Sequence, residues 1–273
     1  MLSRHFHSLA LALVWSTLAV ILSGAWQLGS TVGEPHRGLS GSVALLAILT
    51  CFARSHSRTW LRSVAPGCLV LVFALGGLGF VMAKAPWLIV LHACLSHILF
   101  AGTVALWIGS SPQWATAVAS VPDNGSPSLR TLSKVAPVAV MIQIFLGAAY
   151  RQANLPVWPH LVGSLIVGCL LLYTGMVVLE AEAQQPALRQ AAQFLMGITG
   201  AQIAFGLGAF LGRVMAGDGL PPEWWMVASR TIHVVSGALT LGATVGYAMQ
   251  VFCHVHPGAL DIENNRVGKS VVA

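Results

Sequence analysis

The chain has 273 residues, of which 56% are hydrophobic and only 8% are charged, and its mean hydropathy is +0.77. A soluble domain carries about three times that charged fraction, so the composition excludes a soluble globular protein and indicates an integral membrane protein. The net charge of +6 belongs to the connecting segments and forms no basic stripe, which argues against a nucleic-acid partner.

Eight apolar runs are long enough to cross about 30 Å of hydrocarbon. We place them near residues 8–28, 37–54, 64–83, 87–109, 133–150, 160–181, 190–212 and 226–251. The first run is similar to a signal peptide, but at about twenty residues it exceeds a typical signal-peptide apolar region, and we predict a retained span. The expected fold is an all-α membrane protein with eight transmembrane helices and extensive contact with membrane lipids.

The longest connection, SSPQWATAVASVPDNGSPSLR at 110–130, is rich in Ser and Pro and contains Asn-Gly, which predicts a solvated linker. With boundaries at 110–131, it separates an N-terminal half (1–109) from a C-terminal half (132–273), each with four spans. An even number of spans gives both halves the same orientation. The sequence therefore predicts two four-helix bundles related by an axis along the membrane normal.

The distribution of Lys and Arg favours a cytoplasmic N-terminus. With that orientation, nine basic residues fall on the inner side and five on the outer side. Because the number of spans is even, the C-terminus is also expected in the cytoplasm. The five cysteines form no CxxC pair, which predicts buried small hydrophobes rather than a disulfide framework.

Four histidines occupy matching places in the two halves. His36 and His160 each follow a proline at the start of a span, in GAWQLGSTVGEPH and GAAYRQANLPVWPH. His92 and His233 lie a few residues into later spans, in VLHACLSHILFAGTV and TIHVVSGALTLGATV. A single membrane histidine is more often a hydrogen-bonded packing residue. Four placed by the repeat predict axial metal ligation, with haem iron between His36 and His92 and between His160 and His233.

Four segments resemble the haem A synthase family of cytochrome oxidase assembly proteins, and the resemblance covers essentially the whole chain. They are EPHRGLSGSVALL (34–46), LHACLSHILFAG (91–102), QIFLGAAYR (143–151) and RTIHVVSGAL (230–239). The resemblance implies that the C-terminal histidine pair holds a resident haem b. It also implies that the N-terminal pair flanks a substrate haem O, whose methyl group is oxidised to the formyl group of haem A.

The same resemblance implies a bacterial plasma-membrane location and partners such as haem O synthase or terminal-oxidase assembly factors. The chain also departs from the family. The family's glutamate lies three residues before the first histidine, whereas Glu34 lies two before His36, with Pro35 between them. We assign Glu34 a proton-handling role; the alternative is an acidic side chain that stabilises a helix N-terminus. The connection after the first span also lacks the family's long loop with paired cysteines.

Three arginines lie near the predicted haem sites: Arg37, Arg151 and Arg230. We predict that they pair with haem propionates; the alternative is that each anchors a span at the lipid headgroups. His97 has no counterpart in the second half, where Ala238 stands. We expect it to be a polar packing residue, with a proton relay or substrate contact as the alternative.

Two other functions compete with a haem A synthase. A non-enzymatic haem-b-binding electron-transfer or assembly subunit is favoured by the short loop and the displaced glutamate. A transporter is compatible with parallel repeats and glycine-rich spans, but almost no carboxylate lies at a span midpoint, where coupling ions usually need one. A b-type cytochrome with two histidines about thirteen residues apart on one helix fits less well, because no span has that spacing.

Overall fold

The computed structural model describes residues 2–27, 34–53, 59–81, 84–116, 121–123, 125–181, 185–216 and 223–257. These residues form nine helices: α1 Leu2–Gln27, α2 Glu34–Ala53, α3 Leu61–Val81, α4 Pro86–Gly109, α5 Pro112–Thr116, α6 Leu129–Gln152, α7 Trp158–Ala181, α8 Pro186–Ala216 and α9 Trp224–His254. All except the short α5 are long and apolar enough to cross a membrane. The predicted all-α membrane fold with eight spans is therefore confirmed.

The helices form two rings of four. In the first half, α1 and α3 each pack against both α2 and α4; in the second half, α6 and α8 each pack against both α7 and α9. The diagonal pairs, α2 with α4 and α7 with α9, make little or no direct contact. Each half is thus a four-helix bundle whose diagonal helices face each other across its interior.

The two bundles meet along α4 and α9, which pack against each other, while α1 also packs on α9 and α6 on α4. The contact of α1 with α9 is equivalent to the contact of α6 with α4, so the two halves are related by an approximate twofold axis between α4 and α9. Small residues allow the close approach: Gly242 of α9 faces the ring of Phe100, and Gly246 faces Ile108.

Large apolar side chains cover the outside of the bundle. Phe80 is 90% exposed, Phe52 is 78% exposed and Leu165 is 69% exposed. In water such a surface would be unfavourable, whereas in a bilayer these side chains contact lipid tails. No disulfide joins the five cysteines; Cys51, Cys68 and Cys94 are buried, but Cys169 is exposed on α7. Burial was therefore the wrong expectation for Cys169.

The linker is more ordered than the predicted solvated segment. It contains α5 and a three-residue strand, β1 (Val121–Asp123), which pairs in parallel with β2 (Val255–Pro257) after α9. Asp123 is buried, and its two carboxylate oxygens accept from the backbone N–H groups of Leu129 at 2.8 Å and Arg130 at 2.9 Å. The Asp123 carboxylate thus caps the start of α6. Together with the β1–β2 pair, it joins the linker to the first and the last helix of the second half.

Candidate metal centres

The imidazole rings of His160 and His233 lie side by side inside the second bundle. His160 is the third residue of α7, and His233 is the tenth residue of α9. Their ring centres are 6.2 Å apart, and the ring planes cross at 82°. Because α7 and α9 are diagonal helices, the two side chains bridge a gap that the backbones leave open.

This spacing is compatible with one metal ion shared by both rings. With metal–nitrogen bonds of about 2 Å and ring nitrogens about 1.1 Å from the ring centre, two opposed imidazoles on one iron have centres about 6 Å apart. Among the described residues, no group of three or more His, Cys, Asp or Glu side chains is placed to hold a metal ion. The pair therefore suits a macrocycle that supplies its own equatorial nitrogens better than a zinc site made of protein ligands alone.

Each ring of this pair rests against a glycine of the preceding helix. A Cβ atom added at Gly147 of α6 would lie 2.8 Å from Cε1 of His160, and one added at Gly206 of α8 would lie 2.8 Å from Cε1 of His233. In both cases Nε2 is the ring nitrogen farther from the glycine, at 3.5 and 3.6 Å respectively. The glycines thus make room for the rings, and Cε1 is the ring atom that lies closest to the glycine in both cases.

Two glutamines complete the surroundings of these rings. The amide nitrogen of Gln143 lies 2.9 Å from Nδ1 of His160 and donates to the carbonyl of the same residue at 2.8 Å. The backbone of Gln202 lies near His233, and the side-chain oxygen of Gln202 accepts a hydrogen bond from Ser236. Nδ1 of His233 is nevertheless buried without a hydrogen-bond partner among the described residues. A metal-ligating imidazole usually donates its second N–H to an acceptor. The amide nitrogen of Gln143 is a donor, so binding through Nε2 of His160 requires Gln143 to present its amide oxygen to Nδ1 instead.

The N-terminal pair is built less symmetrically. His36 rests on Gly24 of α1 in the same manner, with Cε1 at 3.1 Å and Nε2 at 4.0 Å from an added Cβ. His92 interacts electrostatically with His36, so the predicted partners lie near each other. Nδ1 of His92, like that of His233, is buried without a hydrogen-bond partner among the described residues. Nor does a glycine of α3 support it, since Cβ atoms at Gly77 and Gly79 would meet nothing within 4 Å.

The three predicted propionate-binding arginines differ in environment. Arg37 is exposed, whereas Arg151 and Arg230 are half-buried and interact with each other electrostatically. Arg151 donates to the carbonyl of Ala25 at 3.4 Å, and the buried Nε of Arg230 has no partner among the described residues. Two neighbouring guanidinium groups inside a membrane protein repel each other, and an anion between them would remove the repulsion.

Glu34 is the first residue of α2, so the structure places it at the helix N-terminus beside Pro35. Its side chain lies outside the part of the chain that the structure describes. His97 is buried at the middle of α4, and its Nδ1 donates to the carbonyl of Ala93 at 2.7 Å.

Sequence patterns did not predict the residues that surround the histidine rings: Ser23, Gln143, Gln202 and the three supporting glycines. A signal was present, because the two similar segments before His36 and His160 each begin with the supporting glycine, Gly24 or Gly147. Neither models of protein families nor the sequences of characterised proteins match this chain.

Proposed function

We propose that this protein is a membrane haem protein of the haem A synthase type, located in a bacterial plasma membrane with both termini in the cytoplasm. The observation that carries the proposal is the 6.2 Å spacing of the His160 and His233 ring centres across the interior of the second bundle. Bis-histidine ligation from diagonal helices is an established way to hold haem in a helical bundle.

In this proposal His160 and His233 hold a resident haem b, which supplies one-electron chemistry when bound. Gly147 and Gly206 leave space for the two rings, and Gln143 contacts the ring of His160. Arg151 and Arg230 bind the propionates, because they form a pair of cations that has no carboxylate between them in the described structure. These residues bind and orient the cofactor, and the surrounding apolar helices exclude water from it.

The substrate is haem O, held between His36 and His92, with the exposed Arg37 beside it. The proposed reaction oxidises one methyl group of haem O to a formyl group, by successive hydroxylations and loss of water, a net four-electron oxidation that requires an external oxidant. Glu34, at the start of α2 and two residues from His36, takes part in proton handling. His92 is the one of the four histidines that no glycine of the described residues supports, which agrees with a site that must release its product.

The test is an optical spectrum of the purified protein with a pyridine haemochrome assay, for the wild type, His160→Leu, His233→Leu and the control His5→Leu. The proposal expects bound haem b in the wild type and the control, and its loss in both ligand variants. The same spectrum in all four proteins would refute the pairing.

A haem-b-binding subunit without catalytic activity is the second candidate, favoured by the connection of only residues 28–33 between α1 and α2. Haem extraction and chromatography after co-expression with haem O synthase separates the two candidates: a synthase yields haem A, whereas a subunit yields only haem b and unchanged haem O. A colourless wild-type protein would instead favour a transporter.

A further inference from the structure

Two cations of α6 lie over one aromatic ring of α9. The guanidinium carbon of Arg130 is 4.5 Å from the ring centre of Phe252, and the ammonium nitrogen of Lys134 is 5.7 Å from the same ring centre. Arg130 also donates to the carbonyl of Val255 at 2.7 Å, which holds the guanidinium beside the end of α9. Lys134 is exposed, so its ammonium group is accessible from outside the bundle.

No carboxylate of the described residues forms an ion pair with these two cations. Both oxygens of Asp123 accept from backbone N–H groups, those of Leu129 and Arg130. Glu180, near the end of the neighbouring α7, is exposed and pairs with neither cation. Like charges four residues apart on a helix repel each other, and the N-terminus of α6 adds a partial positive charge. An anion beside the ring would reduce this repulsion.

An exposed apolar stripe continues along α6 from Lys134 into the membrane. Val138 is 60% exposed and Ile142 is 56% exposed, and they follow Lys134 at intervals of four residues on the same helix face. Lys134 is the sixth residue of α6 and Phe252 is the third residue from the end of α9, so both lie near the membrane edge. A cationic site at this edge, continued by an apolar stripe, matches the headgroup and one acyl chain of a phospholipid.

The first half of the protein has the same helices but lacks this arrangement. An offset of 123 residues relates α1 to α6, as in Gly24 and Gly147, and an offset of 141 residues relates α4 to α9, as in His92 and His233. With these offsets, the two cations and the ring correspond to a histidine, a leucine and a serine: His7, Leu11 and Ser111. The bundle itself therefore does not require the cation pair, which indicates a role specific to the second half.

We propose that Arg130, Lys134 and Phe252 form a binding site for an anionic phospholipid, whose acyl chain lies along Val138 and Ile142. The headgroup phosphate accepts from the ammonium group and from the guanidinium N–H groups that Val255 leaves unused. Basic pockets between transmembrane helices are an established way to bind such headgroups. The site is separate from the histidine centres, so this proposal does not rest on the proposed function.

The test measures lipid binding to the full-length protein in detergent. Native mass spectrometry gives the Kd of the first bound lipid in titrations with phosphatidylglycerol and, separately, with phosphatidylcholine of the same acyl chains. The wild type should bind phosphatidylglycerol about tenfold or more tightly than phosphatidylcholine, because two cations face the headgroup. Equal Kd values for the two lipids would overturn the proposal.

Lys134→Gln should raise the Kd for phosphatidylglycerol about fivefold, the usual contribution of one cation near an anionic lipid surface. Lys134→Arg keeps the charge and should keep the affinity. The matched control is Arg189→Gln, at an exposed arginine in the first turn of α8, which begins at the same membrane edge. The control should bind as the wild type does. A Lys134→Gln protein that loses no more affinity than the control would overturn the site.

Inorganic phosphate distinguishes a lipid from a free anion. Phosphatidylglycerol should raise the Tm of the wild type, because a ligand that binds the folded state stabilises it. Inorganic phosphate at the same concentration should leave the Tm unchanged, since it has no acyl chain to place along α6. An equal rise with inorganic phosphate would overturn the assignment of a lipid.

Discussion

The hydroxyl of Ser23 lies 3.0 Å from Nδ1 of His36 and donates its own hydrogen to the carbonyl of Val20 at 2.9 Å. A Ser23 hydroxyl that donates to Val20 accepts from His36, and this arrangement places the proton of the neutral ring on Nδ1. Nε2 of His36 is then unprotonated and able to bind a metal. One serine on α1 thus selects the ligating form of a histidine on α2.

Ser23→Ala should weaken haem binding at the N-terminal centre by about 10- to 100-fold, the usual cost of losing a contact that orients a metal ligand. Titration of the purified protein with haem measures the affinity from the optical spectrum. Ser42→Ala is the control, because the Ser42 hydroxyl bonds only to the carbonyl of Gly38 on its own helix. Equal affinities of the two variants would show that Ser23 does not orient His36.

Gly206→Ala should displace the ring of His233, because the added methyl group would lie 2.8 Å from Cε1. We expect loss of the resident haem b in the haemochrome assay. The matched control is Gly197→Ala on the same helix, where an added Cβ meets nothing within 4 Å. That control should keep its haem and gain up to about 1 kcal/mol from the higher helix propensity of alanine. Full haem occupancy in Gly206→Ala would contradict the close contact.

Arg230→Gln should change the haem-free and haem-bound proteins in opposite directions. Without haem, removing one of two neighbouring cations relieves their repulsion, so the Tm should rise. With haem, the loss of a propionate partner should weaken binding by about tenfold or more, since hydrogen bonds to charged groups contribute about 1.5–3 kcal/mol. Arg189→Gln, at an exposed arginine of α8, should change neither property. A lower Tm in the haem-free Arg230→Gln protein would mean that the arginine pair is already satisfied.

Asp123→Ala should destabilise the protein without altering its haem spectrum. The substitution removes both acceptors at the start of α6, and loss of a helix cap costs about 1–2 kcal/mol. Chemical unfolding in detergent measures the difference in free energy. The control is Ser128→Ala, which removes two exposed contacts with Thr131, one to its N–H at 3.2 Å and one to its hydroxyl at 2.8 Å, and its effect should be smaller. If Asp123→Ala lost its haem at unchanged stability, the carboxylate would have a role beyond capping.

Much of the architecture follows from the sequence. A chain with 8% charged residues and eight long apolar runs can bury its backbone polar groups in a bilayer only as helices, so the fold class and the number of spans were predictable. The internal repeat makes His36 equivalent to His160 and His92 equivalent to His233. Equivalent residues of a duplicated bundle occupy equivalent depths, so the positions of the four histidines along the spans were also predictable.

The sequence could not decide which side chains meet across the bundle. Helix rotation is set by packing against neighbours that are distant in the chain, and apolar runs without a clear polar face carry little information about it. Only the tertiary structure brings the rings of His160 and His233 to 6.2 Å, supports three of the four histidines on glycines, and places Arg151 beside Arg230.

The linker and His97 show the same difference between what the sequence predicts and what tertiary contacts decide. The composition of residues 110–130 predicted a solvated linker. Asp123 is nevertheless buried, because its carboxylate accepts from the N–H of Leu129 at the start of α6, six residues later. His97 has no counterpart in the repeat, and its contact with Val234 arises where α4 crosses α9. Local sequence thus determined the spans and the placement of the histidines along them, whereas contacts between distant helices decided which residues form sites.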